Sequence, residues 1–344
     1  MKILFQINLE RDEGPGFVLG QIRRALEDSG HDVIYHFVPV KDALAFDRAA
    51  SRQVVPCDLL VTGIGGAYYQ TKKAHQVGAK VLLTRFSPHH AYTQRVLAPH
   101  YKQFHKRVFD EGILERALQE YPLADFHLVL SQQSKRTYIE NGVPAERVFV
   151  ANLGVDSYKF WYRERDLGDT VFRALFVATN AVRKGWGYLW QAWKKAFKDV
   201  EDAELVSRSN LEFGTLPKSV RSVQTWLTVD ALIDLYHECS ITVLPSLEEG
   251  FGATVLESMS CGRAPIITDV TGACDVVEDG VNGLIVPAAN IDALADALRY
   301  CYNNSFAPRV LGQRARETAE EHPWSRFRHD VETAIATIET FIKE

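Results

Sequence analysis

The chain has 344 residues, 46% of them apolar and 24% charged, with 22 Gly and 13 Pro. That composition excludes a disulfide-stapled miniprotein, a fibre and a disordered chain, and it is long enough for two packed domains. Against 44 Asp and Glu stand 39 Lys and Arg, a formal net charge of -5, so bulk charge excludes a polyanion-coating, nucleic-acid type of protein.

Short runs rich in Val, Ile, Leu and Phe recur along the chain, as strands buried on both faces require, with helix-period segments between them. In the first half they fall at 2–8, 32–38, 58–63, 80–85, 126–131 and 148–152, and in the second at 172–179, 203–208, 220–227, 240–245, 265–269 and 283–287. Helix signals accompany them: Val18, Ile22, Ala25 and Leu26 share a face over 17–29 before Gly30, and Trp324, Phe327, Val331, Ile335, Ile338 and Phe341 recur after Pro323. The polar stretch 162–170 separates two β/α series. The expected fold class is α/β: two doubly wound Rossmann-like domains facing across a cleft, spanning 1–160 and 161–322, with a last helix over 323–344 packing back on the first.

Between Leu59 and Phe109 there is no Asp or Glu but there are eight Lys or Arg and five His, leaving 31 basic against 44 acidic residues elsewhere. Such asymmetry suits an anionic or lipid-linked partner, or a solvated helix face. Five scattered cysteines with no Cys-x-x-Cys pair suggest buried thiols in a reducing compartment. The charged residues Glu10 to Glu13 do not suit a signal peptide, and no apolar run approaches about 18 residues, so a cytoplasmic protein with at most peripheral membrane contact is expected. No Asp-x-Asp, His-Glu-x-x-His, P-loop or Gly-x-Ser-x-Gly occurs, which argues against metal-held diphosphate, ATPase and hydrolase chemistry.

The most informative segment is Pro245-Ser246-Leu247-Glu248-Glu249-Gly250-Phe251-Gly252-Ala253-Thr254-Val255-Leu256-Glu257. It leaves a buried strand, crosses two glycines that allow close backbone approach, and enters a helix whose N–H groups near Thr254 and Val255 favour phosphate. Glu249 and Glu257 are acceptors suited to the hydroxyls of a sugar or ribose.

With Ser258-Met259-Ser260-Cys261-Gly262-Arg263-Ala264-Pro265, Thr271-Gly272 and Glu278-Asp279-Gly280-Val281-Asn282-Gly283 behind it, this segment resembles the retaining glycosyltransferases of family 4, which have the GT-B fold. Lys2-Ile3-Leu4-Phe5 with Gly14 and Gly16, Asn152-Leu153-Gly154-Val155-Asp156 and Pro323-Trp324-Ser325 are similar to further stretches of that family, whereas 64–125 matches none. The resemblance implies a hexose-type transfer from a nucleotide diphosphate sugar to a glycan or lipid-linked acceptor, with no metal or other cofactor. It implies that Glu249 and the Gly250, Phe251, Gly252 backbone hold the donor sugar and that Glu257 holds the ribose. Lys184 would meet the diphosphate, where a cation stabilises the growing charge, with Arg183, Thr254, Val255 and the Gly14-Pro15-Gly16 backbone beside it. His89 or His90 would be the family's histidine after the fourth strand. One departure stands out: Ala178-Thr179-Asn180 occupies the place of a usual Arg, so Arg183 is expected to replace it, the alternative being a weak or inactive nucleotide-sugar-binding scaffold. Base selection is expected within 207–227, including Trp226.

Overall fold

The computed structural model describes residues 1–7, 14–39, 42–102, 107–164, 170–209, 218–223 and 227–343. The chain forms two compact units, Met1–Leu153 with Trp324–Glu344, and Gly154–Pro323.

Strands and helices alternate in the first unit: β1 (Lys2–Ile7), α1 (Gly14–Asp28), β2 (Asp32–Phe37), α2 (Ala43–Ser51), β3 (Leu59–Gly63), α3 (Tyr68–Gln76), β4 (Lys80–Thr84), α4 (His90–Lys102), α5 (Glu111–Glu120), β5 (Phe126–Val129), α6 (Gln132–Ile139) and β6 (Val148–Val150). The six strands pair in parallel in the order β2-β1-β3-β4-β5-β6. Helices cover both faces, which is why Ile3, Leu4, Phe5, Leu59, Leu60 and Val61 are all fully buried rather than alternating. Helix α1 starts at Gly14, earlier than the expected 17. Gly14-Pro15-Gly16 therefore forms its first turn rather than a loop before it, and Pro15 is tolerated there because N–H groups of a first turn have no partner inside the helix.

The second unit contains β7 (Phe172–Ala178), α7 (Trp186–Ala196), β8 (Ala203–Ser209), β9 (Val220–Val223), α8 (Val229–Glu238), β10 (Ile241–Leu244), α9 (Ala253–Ser260), β11 (Ala264–Thr268), β12 (Leu284–Val286), α10 (Ile291–Asn303) and α11 (Ala307–Glu320). Its parallel order is β12-β11-β10-β7-β8-β9. Phe172, Phe176, Leu189, Trp193 and Leu298 fill the core between this sheet and helices α7 and α10. Residues 154–164 belong to this unit because buried donors tie them to it. Val155 N–H donates to the His322 carbonyl at 2.9 Å, Arg316 donates to the carbonyls of Ser157 and Phe160 at 3.1 Å, and Arg263 donates to that of Arg163 at 2.9 Å. The division thus falls after Leu153, ahead of the expected 160.

The last helix, α12 (Trp324–Lys343), returns to the first unit. Its Phe327, Val331, Ile335 and Ile338 are fully buried, Trp324 meets Phe17 edge-on at 5.0 Å, and Arg328 donates to Gln21 at 2.8 Å. No helix among the described residues is long and apolar enough to cross a membrane.

Candidate functional site

In the second sheet the strand order reverses between β7 and β10, and a doubly wound sheet leaves its binding crevice where order reverses, beyond the carboxyl ends of the strands. The two loops that leave those ends, 179–185 and 245–252, carry the charged residues singled out by sequence. Leu247 N–H donates to the Arg183 carbonyl at 2.9 Å, joining the loops. Gly185 has φ +77°, and a side chain on it would strike the Pro245 carbonyl oxygen. From the other side, Thr268 donates to the Ser246 carbonyl at 2.6 Å, and Gly272 N–H donates to that of Glu249 at 3.1 Å. Gly252, at φ +92°, turns the chain into α9.

Four charges meet in this frame. Lys184 Nζ bonds Glu249 Oε2, while Arg183 Nη1 lies 3.4 Å from Glu249 Oε1 and 3.4 Å from Glu248 Oε2. Relative exposure is 1% for Glu248, 6% for Glu249 and 8% for Lys184, a degree of burial that ions tolerate when paired and hydrogen-bonded. Burial pushes the Glu249 carboxyl up, but Lys184 and Arg183 outweigh it and hold it below the ordinary carboxylate range. Burial likewise acts most on Lys184, and with the repulsion of Arg183 it pulls the ammonium below the ordinary lysine range against the attraction of Glu249. The cluster unites a cation suited to phosphate, a carboxylate suited to hydroxyls and a helix start in one crevice beyond the carboxyl ends of the central strands.

Glu257 stands in α9, half-buried, where the Tyr236 hydroxyl donates to its Oε2 at 3.0 Å. One expectation needs correction. Val255 N–H is not a spare donor, since it bonds the Gly252 carbonyl at 2.9 Å. The Phe251 ring is 1% exposed, and its carbonyl accepts from Ala273 N–H at 3.0 Å. Arg183 is directed at Glu248 and Glu249, so its charge is already engaged by two carboxylates. The sequence reading did not single out Glu248 and Tyr236, which contact Arg183 and Glu257. The signal available for Glu248 was a second carboxylate in an otherwise buried segment that follows a two-cation loop. Trp226 lies outside the described residues.

Gly16, His89 and His90 belong to the first unit. Gly16 lies in the first turn of α1. His89 and His90 are 4% and 3% exposed. The His89 ring stacks on Tyr121 at 3.7 Å, and His90 bonds the Tyr121 hydroxyl through Nδ1 and Arg85 through Nε2, each at 2.9 Å. Burial first, then the Arg85 charge, brings them to about 3 and about 2, so both are neutral at physiological pH. Among the described residues, no group of three or more His, Cys, Asp or Glu is placed to hold a metal ion.

Comparison with known proteins gives the site a context. Residues 172–304 match the family model of glycosyl transferases group 1. This range carries both loops and the whole four-charge cluster. An uncharacterized glycosyltransferase of Methanocaldococcus jannaschii is 29% identical over 197 residues, 55% of this chain and 54% of that protein. The amylovoran biosynthesis glycosyltransferase AmsK of Erwinia amylovora is 25% identical over 230 residues, 60% and 56% of the two chains. The chain thus spans about half the length of these relatives. Among solved structures, Anabaena HepE in complex with UDP-glucose superposes with a TM-score of 0.71 over 98% of this chain and 100% of that one, at 16% identity. The two parallel six-stranded sheets and their helices are those of GT-B glycosyltransferases.

Proposed function

We propose that the protein is a retaining glycosyltransferase that moves a hexose from a nucleotide diphosphate sugar to a glycan or glycolipid acceptor, without a metal. The observation that carries this reading is the Lys184 to Glu249 contact at the reversal of the second sheet, beside the start of α9. The family match over the same residues, the UDP-glucose held by HepE and the glycan-forming role in the name of AmsK support it.

In this reading Lys184 and the first turn of α9 receive the diphosphate, Glu249 accepts hydrogen bonds from sugar hydroxyls, and Glu257, steadied by Tyr236, accepts them from the ribose. The acceptor hydroxyl attacks the anomeric carbon on the face the diphosphate leaves. The bond from that carbon to the phosphate oxygen breaks, and the hydroxyl proton passes to the departing phosphate. Lys184 then lowers the barrier because the negative charge grows beside it. Arg183 orients Glu249 and keeps it ionised, and Glu248 in turn holds Arg183.

A thermal-shift panel of UDP, GDP, ADP and CMP with the wild type and Glu257→Ala tests the donor class. One diphosphate at about a hundred times its Kd stabilises the wild type by about 2.7 kcal/mol, and Glu257→Ala loses most of that shift. If no nucleotide shifts the wild type, the transferase reading fails.

A further inference from the structure

In the first sheet β1 lies between β2 and β3, so strand order reverses between β1 and β3, and the crevice of that sheet falls beyond their carboxyl ends. The loop 64–67 leaves β3 at that point and leads into α3. Two buried carboxylates fix this stretch. Glu120, at the end of α5, accepts from Gly65 N–H at 2.6 Å and from Ala67 N–H at 3.0 Å. Asp47 of α2 accepts from the N–H groups of Tyr69 and Gln70, each at 3.0 Å. Both carboxylates are fully buried, which is costly: burial, against the pull of its two N–H partners, pushes Glu120 up to about 7. Backbone held so firmly at a strand-order reversal is a suitable platform for binding.

The platform presents a pair of tyrosines flanked by cations. The rings of Tyr68 and Tyr69 meet edge to face at 5.3 Å. The Arg48 guanidinium, from α2, lies over the Tyr69 ring at 5.8 Å, and the Lys72 ammonium lies over the Tyr68 ring at 4.2 Å. Arg48, Tyr69, Tyr68 and Lys72 thus form one continuous row, in which Tyr69, Arg48 and Lys72 are exposed. Neither cation makes an ion pair among the described residues. Lys72 gives one N–H to the Tyr68 hydroxyl, which leaves two of the three donors of an ammonium. Asp47 and Glu120 do not neutralise the row, being bonded to backbone N–H groups.

A ligand that satisfies this row has a flat apolar face with a polar rim for the tyrosines and anionic groups for the cations beside them. A simple anion leaves the rings uncovered. A bilayer asks for an aliphatic wedge, whereas the exposed positions of α3 besides Tyr69 are Lys72, Lys73, His75 and Gln76. Pyranose rings have C–H faces and hydroxyl rims, and with carboxylate or sulfate groups they match both parts of the row. We propose that this row binds an acidic oligosaccharide, with its sugar rings against the tyrosine pair and its anionic groups on Arg48 and Lys72. That such a saccharide is the acceptor of transfer rests on the proposed glycosyltransferase function; the binding itself does not.

The test is fluorescence anisotropy of the full chain, at about 0.15 M salt, with labelled hexasaccharides of polygalacturonate, hyaluronan and heparin, alongside maltohexaose and hexaglutamate. At least one acidic saccharide should bind saturably, about tenfold or more tighter than maltohexaose or hexaglutamate. Tyr69→Ala and Lys72→Glu change exposed side chains, so both should melt as the wild type does and each should weaken binding by about tenfold, while Tyr69→Phe should retain most of it. Silence from all three acidic saccharides overturns the proposal. So does hexaglutamate binding as tightly as the saccharides, which would reduce the row to its charge, or saccharide binding that survives Tyr69→Ala and Lys72→Glu. Vesicles of phosphatidylserine and phosphatidylcholine form the last arm: Lys72-dependent binding to them without saccharide binding gives the row to a lipid surface and overturns the proposal. The nucleotide thermal-shift panel contains no glycan, so a failure of the transferase function there and a failure of saccharide binding here are separate results.

Discussion

Two buried carboxylates and two cations beyond the ends of the two central strands are costly to assemble singly and acceptable together, and that interdependence governs what substitution does. Lys184→Ala leaves Glu249 with the 3.4 Å contact to Arg183 alone. Breaking a buried pair costs roughly 3 kcal/mol, and transfer should fall at least about 100-fold for this variant and for Glu249→Ala. Acid unfolding separates the two effects. The folded carboxyl of Glu249 titrates below its ordinary 4.5, so its stabilisation is complete above about pH 4.5 and is lost as pH falls through the folded value. Urea midpoints measured from pH 6 to pH 3 should therefore drop more steeply for the wild type than for Lys184→Ala. Parallel curves, or full-rate transfer by Lys184→Ala, would sink the role given to this pair. Lys184, Glu249 and Glu257 were singled out by the resemblance of their segments to a known family rather than by spacing alone, and the structure brings the first two into contact. The partner of Arg183 was not, because a guanidinium on a loop can turn to phosphate or to carboxylate, and only the packed position of Glu248, beneath it, decides.

At the level of elements, the strands announced themselves as apolar runs because parallel strands are buried on both faces. All twelve start within a residue of expectation, and several, such as β5 and β6, end one or two residues earlier; of the expected run 220–227, residues 224–226 lie outside the described residues. The start of α1 was harder to read, since Gly14, Pro15 and Gly16 break helices in the middle but are admitted in a first turn. The loops after β7 and β10 depend on a property that spacing does not reveal: the glycine at 185 is compelled by two independent facts, its φ of +77° and the Pro245 carbonyl against its missing side chain. Gly185→Ala should therefore cost more than the roughly 1 kcal/mol of an ordinary left-handed position. It should push the loops apart and lower transfer with little change in the melting of the first unit. Gly187→Ala, with nothing within 4 Å of the added atom, is the matched control. Equal stability and activity in the two variants would remove the loop contact from the argument.

Over the whole molecule, the chain builds each unit around its own sheet and then spends its last helix on the first. The boundary after Leu153 escaped the sequence reading because the polar stretch at 162–170 looks like a linker. In fact 154–164 is held to the second unit by backbone carbonyls that accept from Arg263 and Arg316, contacts that carry no sequence pattern. Helix α12 is different: its apolar period was plain, and burying Phe327, Val331, Ile335 and Ile338 completely contributes about 1.5–3 kcal/mol for each side chain. Their sum is comparable to the roughly 5–15 kcal/mol that holds a typical domain together. Ending the chain at Pro323 should consequently unfold the first unit, with exposure of the α1 face that carries Phe17 and Gln21. The second unit, whose core of Phe176, Leu189 and Trp193 contains nothing from α12, should persist. Hydrogen exchange read by mass spectrometry distinguishes the two: amides of β1 to β6 should exchange rapidly in the shortened chain while those of β7 to β12 stay protected. Protection retained throughout the first sheet would mean that α12 is an accessory to that unit and not part of its core.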